Sequence, residues 1–248
     1  MYKNQQLVEV CFSPRQFDLY KGQFDICVVI DVLRATSAIC AGIENGLNSV
    51  IPVATIEEAA EYQKKGYIAA AERNGEVVVG FDFGNSPFAF MDPKLKGKDV
   101  VLSTTNGTQA IHTAREMDVV VIGSLNNLDA LSDWLIEQHR PVLVLASGWK
   151  DKFNLEDTIC AGAIVDALIE SHKFKSEEDS SIAAKFIYRS AKENIFSFLK
   201  ASSHRRRLRR LNLNEDVKFC LTPNTSTCIP ILKDGAIVKL EHEKIATQ

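Results

Sequence analysis

The chain has 248 residues, 46% of them hydrophobic and 25% charged, with a formal net charge of −3. These are ordinary globular values, enough for one large α/β domain or two small ones. A charge so near balance does not advertise a nucleic-acid binder, so an anionic ligand would need locally clustered cations. No run approaches the ~20 apolar residues of a membrane span, and the opening MYKNQQLVEVCFSPRQF lacks the apolar core of a signal peptide. None of Cys11, Cys27, Cys40, Cys160, Cys220 and Cys228 forms a CxxC pair, and several lie in apolar runs. They read as buried free thiols of a cytoplasmic protein, not as a disulfide framework or a zinc site.

Leu7 to Phe12 reads as a first strand, followed by a loop at Pro14. The stretch around which the rest is organised comes next: FDICVVIDVLRATSAICAGIENG, Phe24 to Gly46. Ile26 to Ile30 is short, continuously apolar and β-branched, the pattern of a strand buried on both faces. It ends on Asp31, and Arg34, Thr36 and Ser37 then lead into a helix closed by Asn45-Gly46. Thr36 or Ser37 is expected to cap that helix. In an open α/β sheet, ligands sit at the carboxyl ends of the strands, which places Asp31 there. Its carboxylate suits Mg²⁺ or acid/base work, and the planar guanidinium of Arg34 suits an anion. The plainer alternative is that Asp31 and Arg34 simply pair with each other.

Val50 to Val53 reads as a strand near an edge, because of Pro52. Thr55 and Glu58 form a capping box for a helix through Lys65, stopped by Gly66. Ile68 to Ala71 is a strand ending on Glu72-Arg73, with a turn at Asn74-Gly75. Val77 to Val79 leads into the shaped loop GFDFGNSP, Gly80 to Pro87. Three more strands follow, Val100 to Leu102, Asp118 to Ile122 and Val142 to Ala146, each running through a polar loop into a helix. The helices reach about Glu116, about Gln138, and from about Glu156 to Ser171. The recurring strand, polar loop and helix argue for an α/β fold with a largely parallel sheet and helices on both faces. After a charged link, Lys175 to Ser181, a helix is expected from Ile182 to Lys200 and a short one from Ser202 or Ser203. Val217 to Leu221, Cys228 to Leu232 and Ala236 to Leu240 read as strands, the last two joined through Lys233-Asp234-Gly235, which makes the sheet mixed.

Four stretches carry unusual polar density. Thr104, Thr105, Asn106, Gly107 and Thr108 open a helix whose free N–H groups could meet an oxyanion, with Gly107 allowing close approach. Glu156 and Asp157 stand in a helix's first turn beside Lys150 and Lys152, richer than a cap needs. The GFDFGNSP loop supplies Asp82, Asn85 and Ser86. His204 to Arg210 is the most basic run, a solvated face, an ion-pair partner or a cradle for an acidic substrate; it lacks the interleaved aromatics of an RNA binder. The sequence has no GxxxxGK[ST], no DxD at Asp31, no Cys-x5-Arg loop and no HExxH. Phosphate chemistry here fits carboxylates with Mg²⁺ best.

In this shared order, VVIDVLRATSAICAGIENG, GFDFGNSP, VLSTTNGTQA, VIGSLNN, GWKDKFNLEDTICAGA and, more loosely, SSHRRRLRRLN resemble the 2-phosphosulfolactate phosphatase family. The resemblance runs from about residue 27 to 212, with similarity again at the C-terminal DGAIV. It implies Mg²⁺-dependent hydrolysis of (R)-2-phospho-3-sulfolactate to 3-sulfolactate and phosphate, a step of coenzyme M synthesis in methanogens. It also implies a layered α/β/α fold with a mixed, largely parallel sheet. A single domain over residues 1–248 is expected, any subdivision falling near residue 175. On this reading Asp31, with Glu156 or Asp157 and further Asp82, binds Mg²⁺. Arg34 and the Thr104 to Thr108 loop hold the phosphoryl oxygens. Asn85, Ser86, Lys150, His204 and Arg205 complete the substrate site. The expected partner is a small anionic phosphate ester, with no nucleic acid and no membrane and with room for a homo-oligomer. The competing reading is a small-anion binding protein without turnover. Where the family carries glycines after the histidine and one or two turns later, this chain has Arg205 and Asn212.

Overall fold

The computed structural model describes residues 5–241. Its elements run β1 (Gln6–Cys11), β2 (Ile26–Ile30), α1 (Ala35–Glu44), β3 (Ser49–Pro52), α2 (Ile56–Lys64), β4 (Ile68–Arg73), β5 (Glu76–Val77), α3 (Pro87–Phe90), β6 (Asp99–Ser103), α4 (Gly107–Ala114), β7 (Val119–Gly123), α5 (Leu128–Gln138), β8 (Val142–Ala146), α6 (Leu155–Glu170), β9 (Phe174–Lys175), α7 (Asp179–Ala191), α8 (Ile195–Phe198), α9 (Ser203–Arg210), α10 (Asn214–Cys220), β10 (Pro230–Lys233) and β11 (Ala236–Lys239). Among the described residues no helix is long and apolar enough to cross a membrane. All six cysteines are free and buried.

The strands form one mixed sheet in the order β5-β4-β6-β3-β11-β10-β7-β2-β8-β1-β9. Two parallel sets, β4-β6-β3 and β7-β2-β8-β1-β9, are joined by the antiparallel β10–β11 hairpin, which pairs with β7 through Ile231 and with β3 through Ile237. Asp234 and Gly235 turn that hairpin with φ of 51° and 82°, the two positive values that a two-residue type I′ loop requires. Alternate residues of the central strands feed opposite cores. Ile26, Val28 and Ile30 pack with α5, α6 and α7, whereas Cys27 and Val29 pack with α1, α3 and α4.

Five strands separate β2 from β4. On a flat sheet their ends would stand about 29 Å apart. Arg34, just beyond β2, nevertheless donates to the Gly75 carbonyl beyond β4 at 3.0 Å. The sheet therefore curls, and α1 fills its concave side with nine of its ten residues buried. A helix apolar on every face is what such an enclosed position demands.

Four details of the chain differ from the sequence reading. Neither Thr36 nor Ser37 caps α1: the Thr36 hydroxyl accepts the Asp31 N–H at 3.0 Å and the Ser37 hydroxyl donates to the Val32 carbonyl at 2.9 Å, so both close the loop behind Asp31 instead. The Pro52 strand is interior, between β6 and β11. Val53 donates toward β6, so the proline's missing N–H falls on the hairpin side, where pairing runs only through Val50. The helix expected from Ile182 to Lys200 breaks after Ala191, because the Asn194 side chain takes the Ser197 N–H at 2.8 Å and starts α8. Val217 to Leu221 is helical, not a strand. Val217, Cys220 and Leu221 are buried at helical spacing, a pattern that a short apolar run leaves ambiguous.

Candidate active site

The Asp31 side chain stands where β2 ends, 7% exposed, and lines a narrow cleft with Leu33, Arg34, Glu72, Gly75, Asn85, Asn106, Trp149, His204 and Leu208. The cleft has about 10 Å³ of free volume, about one water's worth, so a phosphate ester would have to widen it. Of the roomier grooves, one of about 390 Å³ beside Arg73 and His112 has no carboxylate in its lining, and one of about 430 Å³, lined by Arg115, Glu116, Asp118 and Asp234, lies at the start of β7 rather than at its carboxyl end.

Two acids, Asp31 and Glu72, line the cleft, and the charges of two more, Asp157 and Glu156, reach Asp31 from behind it. Burial pushes the Asp31 carboxyl well above its ordinary range, and the charges of Asp157, Glu72 and Glu156 push it further, while the Ala35 N–H pulls the other way. Glu72 accepts from the Gly75 and Thr105 N–H groups and from the Thr105 hydroxyl. Asp157 sits in the first turn of α6 and ties three segments together. One oxygen takes the Val32 N–H at 2.9 Å, and the other takes the Ser147 hydroxyl, the Gly148 N–H and the Asn154 amide at 3.1, 3.1 and 2.8 Å. Burial and the Glu156 charge push it up to about 7 against those donors. Glu156 takes His204 Nδ1 at 2.6 Å on one oxygen and the Ser202 hydroxyl at 3.2 Å on the other. Burial opposes its charge, but His204 and Ser202 outweigh it and hold the carboxyl below its usual value.

Of the residues singled out in the sequence, Asp31, Arg34, Asn85, Asn106 and His204 line the cleft. Arg34 does not pair with Asp31. Its Nη1 donates to Asp216 and its Nη2 to the Gly75 carbonyl, leaving the other guanidinium donors for an anion. Asn85 is 4% exposed, and its Oδ1 is buried without a partner among the described residues. Asn106 holds the Lys150 N–H at 3.1 Å.

Other residues are placed elsewhere. Thr104 and Thr108 exchange hydroxyl bonds with each other's N–H, and Thr105 serves Glu72. Both oxygens of Asp157 and of Glu156 are engaged by protein donors. Asp82 is exposed and accepts the Ala69 N–H, away from the cleft. Ser86 precedes α3 and makes no side-chain cap bond. The exposed Lys150 lays its ammonium 5.5 Å from the Trp149 ring. Arg205 turns away, stacking 3.7 Å over the Phe196 ring and donating to the Phe196 carbonyl. The second departure, Asn212, adopts φ 59°, a left-handed conformation that asparagine tolerates nearly as glycine does.

Sequence reasoning missed Glu72, Trp149 and Asp216 and did not single out Arg207 from its basic run. Glu72 ends a strand as Asp31 does, a signal that could have been used. The Arg207 guanidinium lies 4.0 Å over the Trp149 ring, with Nε and Nη2 buried and unpartnered among the described residues.

Gly107 opens α4 against Asp31. A methyl there would meet Ala35 Cβ at 2.6 Å and Asp31 Oδ2 at 2.7 Å. The glycine thus admits the carboxylate itself. Gly107→Ala is expected to cost ~1–3 kcal/mol, a fall of about 2–12 °C in thermal midpoint, and to cut activity by displacing Asp31. A melt and a rate measured on the same preparation check this.

A family model described as 2-phosphosulpholactate phosphatase matches residues 11–235. A probable 2-phosphosulfolactate phosphatase of Thermotoga maritima is 39% identical over 214 residues, 86% of this chain and 92% of that one. One from Caldanaerobacter subterraneus subsp. tengcongensis is 37% identical over 214 residues, 85% and 88% of the two chains. One from Clostridium acetobutylicum is 34% identical over 234 residues, 93% and 99%. With the matched region taking in every side chain of the cleft, the chain belongs to the 2-phosphosulfolactate phosphatase family, whose members are phosphoric-monoester hydrolases.

Proposed function

We propose that this protein hydrolyses (R)-2-phospho-3-sulfolactate to 3-sulfolactate and phosphate, with Mg²⁺, in the cleft beside Asp31. The observation that carries the reading is Asp31 itself, a buried carboxylate just beyond β2 that lines the cleft with Glu72, Arg34, Asn85 and Asn106. The two carboxylates that line the cleft, Asp31 and Glu72, have the charge to hold a divalent cation. Among the described residues no three His, Cys, Asp or Glu side chains are grouped as a metal cage. Mg²⁺ does not require one: it commonly takes one or two carboxylates and completes its shell with water and substrate phosphate. The donor set fits on those terms, Asp31 holding the ion with Glu72 beside it. Bound there, Mg²⁺ would neutralise charge on the phosphoryl oxygens.

The chain's own groups divide the remaining work. Asn85 and Asn106 supply amides to the phosphoryl group, and Arg34 offers its unspent donors. The sulfonate and carboxylate need further cations, which Arg207 and Lys150 provide at the Trp149 side. The half-buried Arg207, with two nitrogens that have no partner among the described residues, is well matched to such an oxyanion. Coenzyme M synthesis and a cytoplasmic location are the corresponding setting, the latter supported by six buried thiols that remain free.

The test is phosphate release by the purified protein from 2-phosphosulfolactate, with Mg²⁺ and with EDTA, beside 4-nitrophenyl phosphate. Release that prefers phosphosulfolactate and stops in EDTA is the expected result. Saturable binding of the ester with no phosphate released from either compound would establish the small-anion binding protein instead.

A further inference from the structure

We propose that His204 is the general acid that protonates the departing ester oxygen, and that Glu156 is the residue that positions it. The inference rests on the phosphatase reading above and adds to it the group that completes bond cleavage.

His204 is 8% exposed and lines the cleft. Its Nδ1 lies 2.6 Å from Glu156 Oε1. A carboxylate only accepts, so Nδ1 carries the hydrogen of that bond. Glu156 is 1% exposed, and its other oxygen is held by the Ser202 hydroxyl. Ser202 is in turn the cap of α9, the helix that carries His204. The Trp149 ring lies over the imidazole at 5.1 Å. The imidazole is thus fixed at one nitrogen and covered on one side. No hydrogen bond is formed by its Nε2 among the described residues, and because Nδ1 is on Glu156, Nε2 lies on the far side of a ring that lines the cleft. A purely structural histidine of this burial would be expected to spend both nitrogens. The arrangement is that of a histidine oriented by a third group toward a reacting atom.

The chemistry requires such a group. An alkyl ester leaves as an alkoxide, a poor leaving group without a proton. Water forms the new bond to phosphorus, and the bond from phosphorus to the ester oxygen breaks with its electron pair going to that oxygen. The oxygen takes the proton of His204 Nε2, and the imidazole regains one from the water that attacked. The Glu156 carboxylate stabilises the imidazolium form between turnovers and keeps the ring from rotating. This gives Glu156 a role that needs neither of its oxygens in the cleft.

The test compares two leaving groups. The 4-nitrophenolate ion departs without a proton, so a missing acid does little to its release. His204→Gln is expected to lower kcat on 2-phosphosulfolactate by about 10²–10⁴-fold and kcat on 4-nitrophenyl phosphate by less than about fivefold. The surviving aryl turnover also reports an intact fold. Glu156→Gln is expected to show the same selectivity at smaller amplitude, since an amide still reaches Nδ1 but no longer supports the charge. Equal losses on both esters in both variants would overturn the proposal and leave the phosphatase reading standing. Wild-type protein that releases phosphate from neither ester would overturn both.

Discussion

Asp31→Asn is expected to lower turnover of a phosphate monoester by at least about 10³-fold, roughly 4 kcal/mol of transition-state stabilisation, without unfolding the protein. The amide is close in size, its oxygen can still accept the Ala35 N–H, and the loop behind it is also held by the Thr36 and Ser37 hydroxyls. In metal-free buffer the variant is expected to melt no lower than the wild type, and higher at neutral pH. The sign follows from Asp31 being raised above its unfolded value by burial and by the charges of Asp157, Glu72 and Glu156. A carboxyl so raised destabilises the folded state once it ionises, so the wild type loses stability as pH climbs from the ordinary carboxylate range through the raised value. The asparagine variant escapes that loss. The gap between the two melts should be near zero in acid, widen with rising pH and then level. A variant that is active, or whose melt falls below the wild type at every pH, would remove Asp31 from the centre of the site.

Asp216→Ala is expected to be the most damaging change to stability. Arg34 and Asp216 have side chains 5% and 10% exposed and form a direct ion pair. Removing one partner strands a buried charge, at ~3–5 kcal/mol, or about 6–20 °C of thermal midpoint in a chain of this length. Replacing both by apolar residues of similar volume should cost less than the single change, because the penalty belongs to the uncompensated charge. Activity should fall as well, since the freed guanidinium has the cleft carboxylates as its next partners. A thermal melt of the single and double variants distinguishes a structural pair from an incidental one; an unchanged melt for Asp216→Ala would show the pair to be incidental.

The sequence made the local architecture legible and left the long-range closure hidden. The run Ile26 to Ile30, the Thr55–Glu58 capping box and the Asp234-Gly235 turn all carry their structure within a few residues. So does the position of Asp31, because a carboxylate that follows a doubly buried strand has one place to go. The Arg34–Asp216 pair spans 182 residues and leaves no local mark. Glu72 joins Asp31 only because the sheet curls around α1, and curvature is a property of the whole sheet rather than of either strand. The adjacent acids Glu156 and Asp157 looked alike in sequence, yet a helix turn of about 100° per residue points them at different partners. Asp157 ties β2 and β8 to α6, whereas Glu156 meets His204. The basic run divides by the same periodicity: His204, Arg205 and Leu208 face inward, and Arg206, Arg209 and Arg210 face solvent.

The most direct measurement is a crystal structure of the protein with Mg²⁺ and vanadate, a mimic of the phosphoryl group in flight. The account predicts the oxyanion between Asp31, Asn85, Asn106 and the free nitrogen of His204, the cation on Asp31, and the cleft opened at its Trp149 wall. Vanadate bound instead in the groove beside Arg73 and His112, with the Asp31 cleft unchanged, would contradict it.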